Sequence, residues 1–249
     1  MKIIQSNLLK NFLNLKHGFT CRDGGVSKKP YNSLNLALHV EDNIADVTQN
    51  HKLLANTLNY NKKTVVHMKQ IHSDILHVVD ENDNFDNPPI CDALITDKLN
   101  TPLMVMVADC SPILFYDDMR KVIAVAHAGR QGAFKNIVSV VLNSFRNNFN
   151  SNIANLHVAI GASICQNCYE VGAEIYDEAK ELKLDYALTL KDRSYYLDIR
   201  AILKKQLLHV GVSEKNIEIS DECSCCLNKK YFSYRADGIT GRFAGVISL

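Results

Sequence analysis

The chain has 249 residues, 47% of them hydrophobic and 22% charged, a composition that excludes an intrinsically disordered protein. Its formal net charge of +1 excludes the strong field that would favour nucleic acid or an anionic membrane surface as a partner. Polar residues interrupt the apolar N-terminus, and no apolar run approaches the roughly 20 residues that span a bilayer. We therefore expect a single cytoplasmic domain, residues 1–249, that is a monomer or small homo-oligomer with mostly reduced cysteines.

Alternating strand and helix patterns predict a mixed α/β (α+β) fold, with a large sheet system flanked by helices. Continuous apolar runs predict strands that are buried on both faces. Asp198 is expected to cap the last helix, and Gly211 to end it. In chain order the predicted elements are a helix at 52–60, strands at 64–68, 74–80, 103–108, 113–116 and 122–127, a helix at 133–149, a strand and turn at 156–164, helices at 169–182 and 198–212, a strand at 216–221 and a C-terminal strand after a glycine-rich segment.

Two reactive side chains, Cys110 and His127, each follow a predicted buried strand. If those strands are adjacent, their ends bring both side chains to one rim of the sheet. Thiolate and imidazole are the ligands that zinc favours, and a catalytic zinc has three protein ligands and one open position. His72, in a polar loop between two predicted strands, is the best third ligand, whereas His67 is expected to pack within a strand.

The same pair of side chains allows a second interpretation. Cys110 would be a thiol nucleophile activated by His127, as in a cysteine hydrolase, with Asp109 orienting the imidazole. The residues alone do not separate this arrangement from a Cys–His–His metal site.

Cysteines also occur in two C-x-x-C pairs, Cys165 with Cys168 and Cys223 with Cys226. Together the pairs have the composition of a Cys₄ structural zinc site. The alternative is that they are incidental thiols and small buried side chains, which the absence of turn-forming glycines beside them favours.

Arginines beside glycine turns are candidates for binding an anion. Arg22 precedes the Gly24–Gly25 turn, and Arg235 and Arg242 lie in the C-terminal segment. A solvated surface arginine is the alternative in each case. The common phosphate-loop, dinucleotide-binding, zincin and serine-hydrolase motifs are all absent from the sequence.

Eight ordered segments resemble the YfiH/FAMIN family, also called the laccase-domain, polyphenol oxidoreductase or peptidoglycan editing factor family. They are "HGFTCRDGGVS", "SLNLALHVEDN", "KQIHS", "DALITD", "VADCSPILFYD", "AVAHAGRQG", "CYEVGAEI" and "YFSYRADGITGR". The resemblance extends from His17 to the C-terminus. It implies a fold with mixed β-sheets flanked by helices, related to the cytotoxic-necrotizing-factor-like cysteine hydrolases.

The resemblance also implies a function. It assigns a zinc ion to His72, Cys110 and His127, and copper is possible because the affinity order favours it. It implies a purine nucleoside phosphorylase that cleaves adenosine, inosine and methylthioadenosine with phosphate, and that also deaminates adenosine.

Substrate contacts are expected from further residues. Arg22 or Arg235 would bind phosphate, while Asn35 and Asp109 would bind the sugar or orient a metal ligand. The family usually has Trp-Arg after "HAG", where this chain has Arg130 and Gln131, so either Arg130 binds substrate in place of the family's arginine, from one position earlier, or that role is lost.

Three alternative functions remain open: a cysteine amidase that edits peptidoglycan precursors, a copper-dependent polyphenol oxidoreductase, and a non-enzymatic zinc-binding protein. A multicopper oxidase needs many histidines in His-x-His pairs, and this chain has nine histidines and no such pair. Its composition therefore disfavours oxidase chemistry with several copper ions.

Overall fold

The computed structural model describes residues 1–249 and contains thirteen strands and six α-helices. In chain order they are β1 (Ile3–Ile4), β2 (Lys16–Thr20), α1 (Ile44–Leu58), β3 (Leu76–Val78), β4 (Ala93–Thr96), β5 (Leu103–Val107), β6 (Ser111–Asp117), β7 (Val122–Ala128), α2 (Arg130–Phe134), α3 (Ile137–Phe149), β8 (His157–Ile160), β9 (Glu170–Val171), α4 (Ala173–Glu181), β10 (Leu188–Lys191), β11 (Ser194–Leu197), α5 (Ile199–Val210), β12 (Ile217–Ile219), α6 (Tyr234–Asp237) and β13 (Phe243–Ser248). No helix among them combines the length and the apolar character needed to cross a bilayer.

The strands form three sheets rather than one. The largest has six strands in the order β12-β8-β6-β7-β4-β3, the second has the order β1-β2-β13-β5, and the smallest is β10-β11-β9. Within the six-stranded sheet, β12 and β3 pair parallel to their neighbours, while the other pairs are antiparallel. The second sheet is antiparallel throughout.

The two large sheets pack face to face between layers of helix. Along β6, Phe115 contacts the apolar cluster beneath α3 and α5, whereas Leu114 contacts the cluster between the sheets. Along β5, Val105 faces the inter-sheet cluster, and Met104 faces a third cluster that contains Leu54 of α1. The order of layers is therefore helix, six-stranded sheet, four-stranded sheet, helix.

This layering explains the continuous apolar runs. Every residue of β5, β6 and β7 is buried, which confirms the prediction that these strands are covered on both faces. The cap of α5 is also confirmed, since Asp198 accepts a hydrogen bond from the Ala201 amide at 3.0 Å and Gly211 adopts a φ of 108°.

Several of the predicted elements were wrong in extent; the helix predicted at 52–60, for example, begins at Ile44. Residues 64–68 make an isolated bridge, from Val66 to Leu103, instead of a strand. The helix predicted at 133–149 divides at Asn136, whose left-handed φ of 59° and side-chain bond to the Ser139 amide start a new helix. The helix predicted at 169–182 begins only at Ala173, because the residues before it pair with β11.

Candidate metal and active site

Cys110 lies in the link that carries the chain from β5 in one sheet to β6 in the other. Because β6 and β7 are antiparallel and Ser111 pairs with Ala128, Cys110 lies where β7 ends, close to His127. The two side chains do meet at a rim, but not as the carboxyl ends of two neighbouring strands. The physical reason is that β5 and β7 belong to different sheets that pack face to face.

His72 reaches the same place from the loop before β3. Its backbone is left-handed, with φ 58°, an unfavourable conformation for a residue with a β-carbon. Its Nε2 lies 4.0 Å from the Cys110 Sγ, and its ring is 4.8 Å from that of His127. One donor atom from each of the three side chains lies within 4.8 Å of the other two. Two imidazoles and a thiol at this spacing fit a zinc ion, with one coordination position left over.

One buried carboxylate, that of Asp92, orients both histidines. Its Oδ1 accepts from the His127 Nδ1 at 2.8 Å and from the His72 backbone N–H at 3.1 Å. Its Oδ2 accepts from the Ser73 N–H at 2.6 Å, the Ser73 hydroxyl at 2.7 Å and the Ile71 N–H at 3.2 Å. Because the Nδ1–H of His127 donates a hydrogen bond to Asp92, the Nε2 of His127 keeps a lone pair that can bind a metal.

Gly129 allows these groups to come together. A β-carbon at this position would lie 2.8 Å from the Cys110 Sγ and 3.2 Å from the His72 Cδ2, closer than van der Waals contact permits. Since the φ of Gly129 is an ordinary −81°, the requirement is for space and not for an unusual backbone conformation. The glycine of "HAG" is thus explained by the packing of two of the three donors.

The electrostatics of the metal-free site favour a thiolate beside an imidazolium. Burial opposes both charges, but the charge of His127 and hydrogen bonds from both imidazoles lower the pKa of Cys110 to about 6. Burial likewise opposes the charge on His127, yet Cys110 and Asp92 raise the pKa of His127 to about 9. A thiolate is the form that both metal coordination and nucleophilic attack require.

Alkylation of Cys110 in the chelator-treated protein should therefore follow a pH profile with a midpoint near 6. Peptide mass spectrometry after short iodoacetamide pulses measures the modification at this one residue. Cys91 is the internal control, because burial raises the pKa of its thiol to about 12 and it should stay unmodified. A midpoint near 9, the ordinary value for a thiol, would contradict the proposed ion pair.

The three donors face a cavity of about 330 Å³. Segments from both sheets and from the C-terminal part of the chain enclose it. Its other polar and aromatic lining residues are His39, Gln70, Asp109, Tyr169, Tyr234, Arg235 and Arg242.

The arginines predicted to bind substrate divide into two groups. Arg22 forms a 3.2 Å ion pair with Asp237, and Arg130 forms a 2.7 Å ion pair with Glu178; neither lines this cavity. Arg235 does line it, and its guanidinium donates to the backbone carbonyls of segment 168–170.

Asn35 is fully buried outside the cavity, and its side chain hydrogen-bonds to other groups of the protein. Its side chain donates to Asp42 and accepts from the backbone amides of Ala37 and Arg242. It therefore positions the backbone of Arg242, whose side chain lines the cavity, and does not itself face a ligand there.

Asp109 is not the residue that orients His127, which corrects the sequence-based expectation. Its carboxylate accepts from the Ser224 hydroxyl at 2.6 Å and from the Arg235 amide at 2.7 Å. The orienting carboxylate is Asp92, which sequence reasoning missed although it begins the motif "DALITD". Ala93, the first residue of β4, pairs with Ala126 in antiparallel register, so the residue before it, Asp92, lies beside His127.

The comparisons with known proteins agree with this fold. A family model described as multi-copper polyphenol oxidoreductase laccase matches residues 16–249. The chain is 30% identical to the purine nucleoside phosphorylase YlmD of Bacillus subtilis, over 93% of this chain and 87% of that protein. It is 39% identical to a purine nucleoside phosphorylase of Corynebacterium glutamicum, over 93% of each chain.

Two solved structures are also similar. The Bacillus licheniformis hypothetical protein YfiH superposes with a TM-score of 0.92 at 32% identity, covering 96% of this chain and 94% of that one. YlmD from Geobacillus stearothermophilus superposes with a TM-score of 0.89 at 29% identity, covering 95% and 92%. With a matching family model over nearly its whole length and relatives at this identity, the chain belongs to the laccase-domain family that includes the YfiH and YlmD proteins.

Proposed function

We propose that this protein is a purine nucleoside phosphorylase that holds a zinc ion on His72, Cys110 and His127. The observation that carries the proposal is the convergence of these three donors, with Asp92 behind the histidines, at a cavity large enough for a small ligand. Relatives named purine nucleoside phosphorylase support the reaction class. When bound, zinc supplies a Lewis acid at the cavity wall and lowers the pKa of a coordinated water.

The cavity wall suits a purine nucleoside. Tyr169 and Tyr234 provide aromatic surfaces for stacking a base. Gln70 is less available to a ligand, because its amide donates to the Met106 carbonyl and accepts from the Met106 N–H. We assign base recognition to the two tyrosines.

Arg235 and Arg242 are the residues we assign to phosphate. Their guanidiniums hydrogen-bond only to backbone carbonyls, those of Cys168 and Glu170 for Arg235 and those of Thr240 and Gly241 for Arg242. Neither has a carboxylate partner, so both retain positive charge for an anion in the cavity.

Phosphorolysis then requires an ordered displacement at the ribose. A phosphate oxygen held by the arginines forms the new bond to C1′, while the bond from C1′ to the purine nitrogen breaks and its electron pair leaves with the base. The base takes up at that nitrogen the proton that the attacking phosphate loses. The tyrosines and arginines contribute by holding base and phosphate in line, which lowers the entropic part of the barrier.

We further propose that the substrates are adenosine, inosine and methylthioadenosine, and that adenosine is also deaminated to inosine. Copper is the second candidate for the metal, since the divalent affinity order favours it over zinc. We place the enzyme in the cytoplasm, where reducing conditions keep its thiols free.

A nucleoside panel tests the proposal. Purified, metal-quantified protein is incubated with adenosine, inosine or methylthioadenosine, with and without phosphate, and the products are separated by chromatography. We expect free adenine or hypoxanthine, together with a phosphorylated sugar, only when phosphate is present. Base release without phosphate, or no release from any nucleoside by metal-loaded protein, would overturn the proposal. Inosine formed from adenosine reports deamination separately.

A cysteine hydrolase is the second candidate, favoured by the Cys110–His127–Asp92 arrangement. The lowered pKa of Cys110 and the carboxylate behind His127 are features of an activated thiol nucleophile. This function needs no metal, so it predicts amide hydrolysis that survives chelation and is lost on alkylation of Cys110.

A further inference from the structure

A second group of cysteines lies near the active-site cavity but does not line it. Cys165 precedes a 3₁₀ turn after β8 and Cys168 ends it, while Cys223 and Cys226 lie in the segment after β12. Although 58 residues separate the Cys168 and Cys226 positions, their Sγ atoms are 3.4 Å apart. All four Sγ atoms lie within 4.8 Å of one another.

This spacing matches a tetrahedral metal–thiolate centre. Zinc–sulfur bonds of about 2.3 Å in a tetrahedron place neighbouring sulfurs about 3.8 Å apart. Backbone amides also point at the sulfurs, since the N–H groups of Cys165 and Cys226 donate to the Cys223 Sγ at 3.2 and 3.4 Å. Such N–H···S contacts stabilise a thiolate, and the one from Cys226 closes a turn within its own C-x-x-C pair.

We propose that Cys165, Cys168, Cys223 and Cys226 bind one structural zinc ion. All four are free cysteines, so no disulfide competes for the sulfurs. Four thiolates complete the zinc coordination, the thiol protons are released on binding, and no position remains for water or substrate. The centre is separate from the Cys–His–His site, which has only three protein donors.

The proposed ion would join the segment that carries Tyr169, a lining residue of the cavity, to a segment that supports the lining residue Asp109. Tyr169, which lines the cavity, directly follows Cys168. Ser224, beside Cys223, donates to Asp109, while Arg235 donates to the Cys168 carbonyl. The ion would therefore fix the cavity wall without touching a substrate, and its loss should raise KM for a nucleoside more than it lowers kcat.

Arg200 shows that the fold already joins the same segments on their inner side. Its guanidinium donates to the Ser163 hydroxyl and carbonyl and to the carbonyls of Ser220 and Glu222. The cysteines lie farther along both segments, with Cys226 exposed and Cys223 buried. A metal ion bound by the cysteines would add a second link between the two segments that Arg200 already joins.

Metal stoichiometry of purified variants tests the proposal. In a Cys110→Ala background, which removes the active-site ligand, the protein should retain one zinc per chain by inductively coupled plasma mass spectrometry. Adding Cys168→Ser and Cys226→Ser should remove it, whereas adding Cys225→Ser should not. Cys225 is the matched control, because it lies in the same segment but outside the sulfur cluster.

Unchanged zinc content in the Cys168→Ser, Cys226→Ser variant would overturn the proposal. So would a Cys110→Ala protein, purified without oxygen and with zinc, that contains no metal. Should the double substitution prevent folding, cobalt-loaded Cys110→Ala protein provides a second test. Four thiolates give intense thiolate-to-cobalt charge-transfer absorption, and its absence would refute the site. These measurements do not depend on nucleoside turnover, so the proposed function can fail without affecting them.

Discussion

Cys110→Ala is expected to abolish metal binding at His72 and His127 and to reduce nucleoside turnover by about 1000-fold or more. A bound metal contributes several kcal/mol of charge stabilisation in a transition state, and each 1.36 kcal/mol corresponds to a factor of ten in rate. With one of three ligands removed, two histidines alone do not make a catalytic zinc site of the usual kind. Metal content and steady-state phosphorolysis of the purified variant measure both effects.

The fold should survive this substitution, because the thiol faces the cavity and alanine keeps the β-carbon. Circular dichroism should match that of the parent protein, and the melting temperature should match that of the metal-free parent, because a bound metal stabilises the folded state. Cys225→Ala is the control for a cysteine outside the site. Full phosphorolysis by the Cys110→Ala protein would show that this centre is not the catalytic one.

Asp92→Asn should weaken metal binding by about 10–100-fold, the usual effect of removing a carboxylate behind a ligating histidine. It should also destabilise the metal-free protein by on the order of 3 kcal/mol, because it leaves buried donors without their charged acceptor. Burial opposes the charge of Asp92, but hydrogen bonds from His127 and Ser73 lower its pKa to about 2. Zinc titration with a competing chelator and urea unfolding measure the two quantities.

The sign of the pH effect follows from that lowered pKa. The stability that ionised Asp92 contributes is complete above its ordinary pKa of 3.8 and is lost as the pH falls through about 2. The variant lacks this contribution, so its stability should change less with pH in that range. Asp83→Asn is the matched control, since Asp83 contacts His77 at 2.6 Å and does not line the cavity. Equal losses in both variants would contradict a special role for Asp92.

The buried strands and the three donors could be predicted from the sequence because short stretches of residues indicate them. Apolar runs mark β5, β6 and β7 without knowledge of their neighbours, and Cys110 and His127 stand at the ends of such runs. The order in which strands pair depends on residues far apart in the chain, so the division of the strands into two large sheets was not predictable. The role of Asp92 could not be predicted either, because it depends on the register between β4 and β7.

Which arginine is available to an anion also depends on distant contacts. Arg22 is neutralised by Asp237, 215 positions away in the chain, and Arg130 by Glu178. No pattern around either arginine indicates those partners. Arg242 has only backbone carbonyls as partners, a difference that appears only in the folded chain.

The link from β5 to β6 has a mechanical consequence. Because Cys110 lies in the connection between the two sheets, one residue before β6, a metal bound by Cys110 and His127 would fasten that connection to β7 of the six-stranded sheet. A shift of this connection relative to β7 would change the distance between the Cys110 Sγ and the His127 imidazole. The metal affinity of this site would therefore depend on how firmly the connection from the four-stranded sheet is held against the six-stranded sheet.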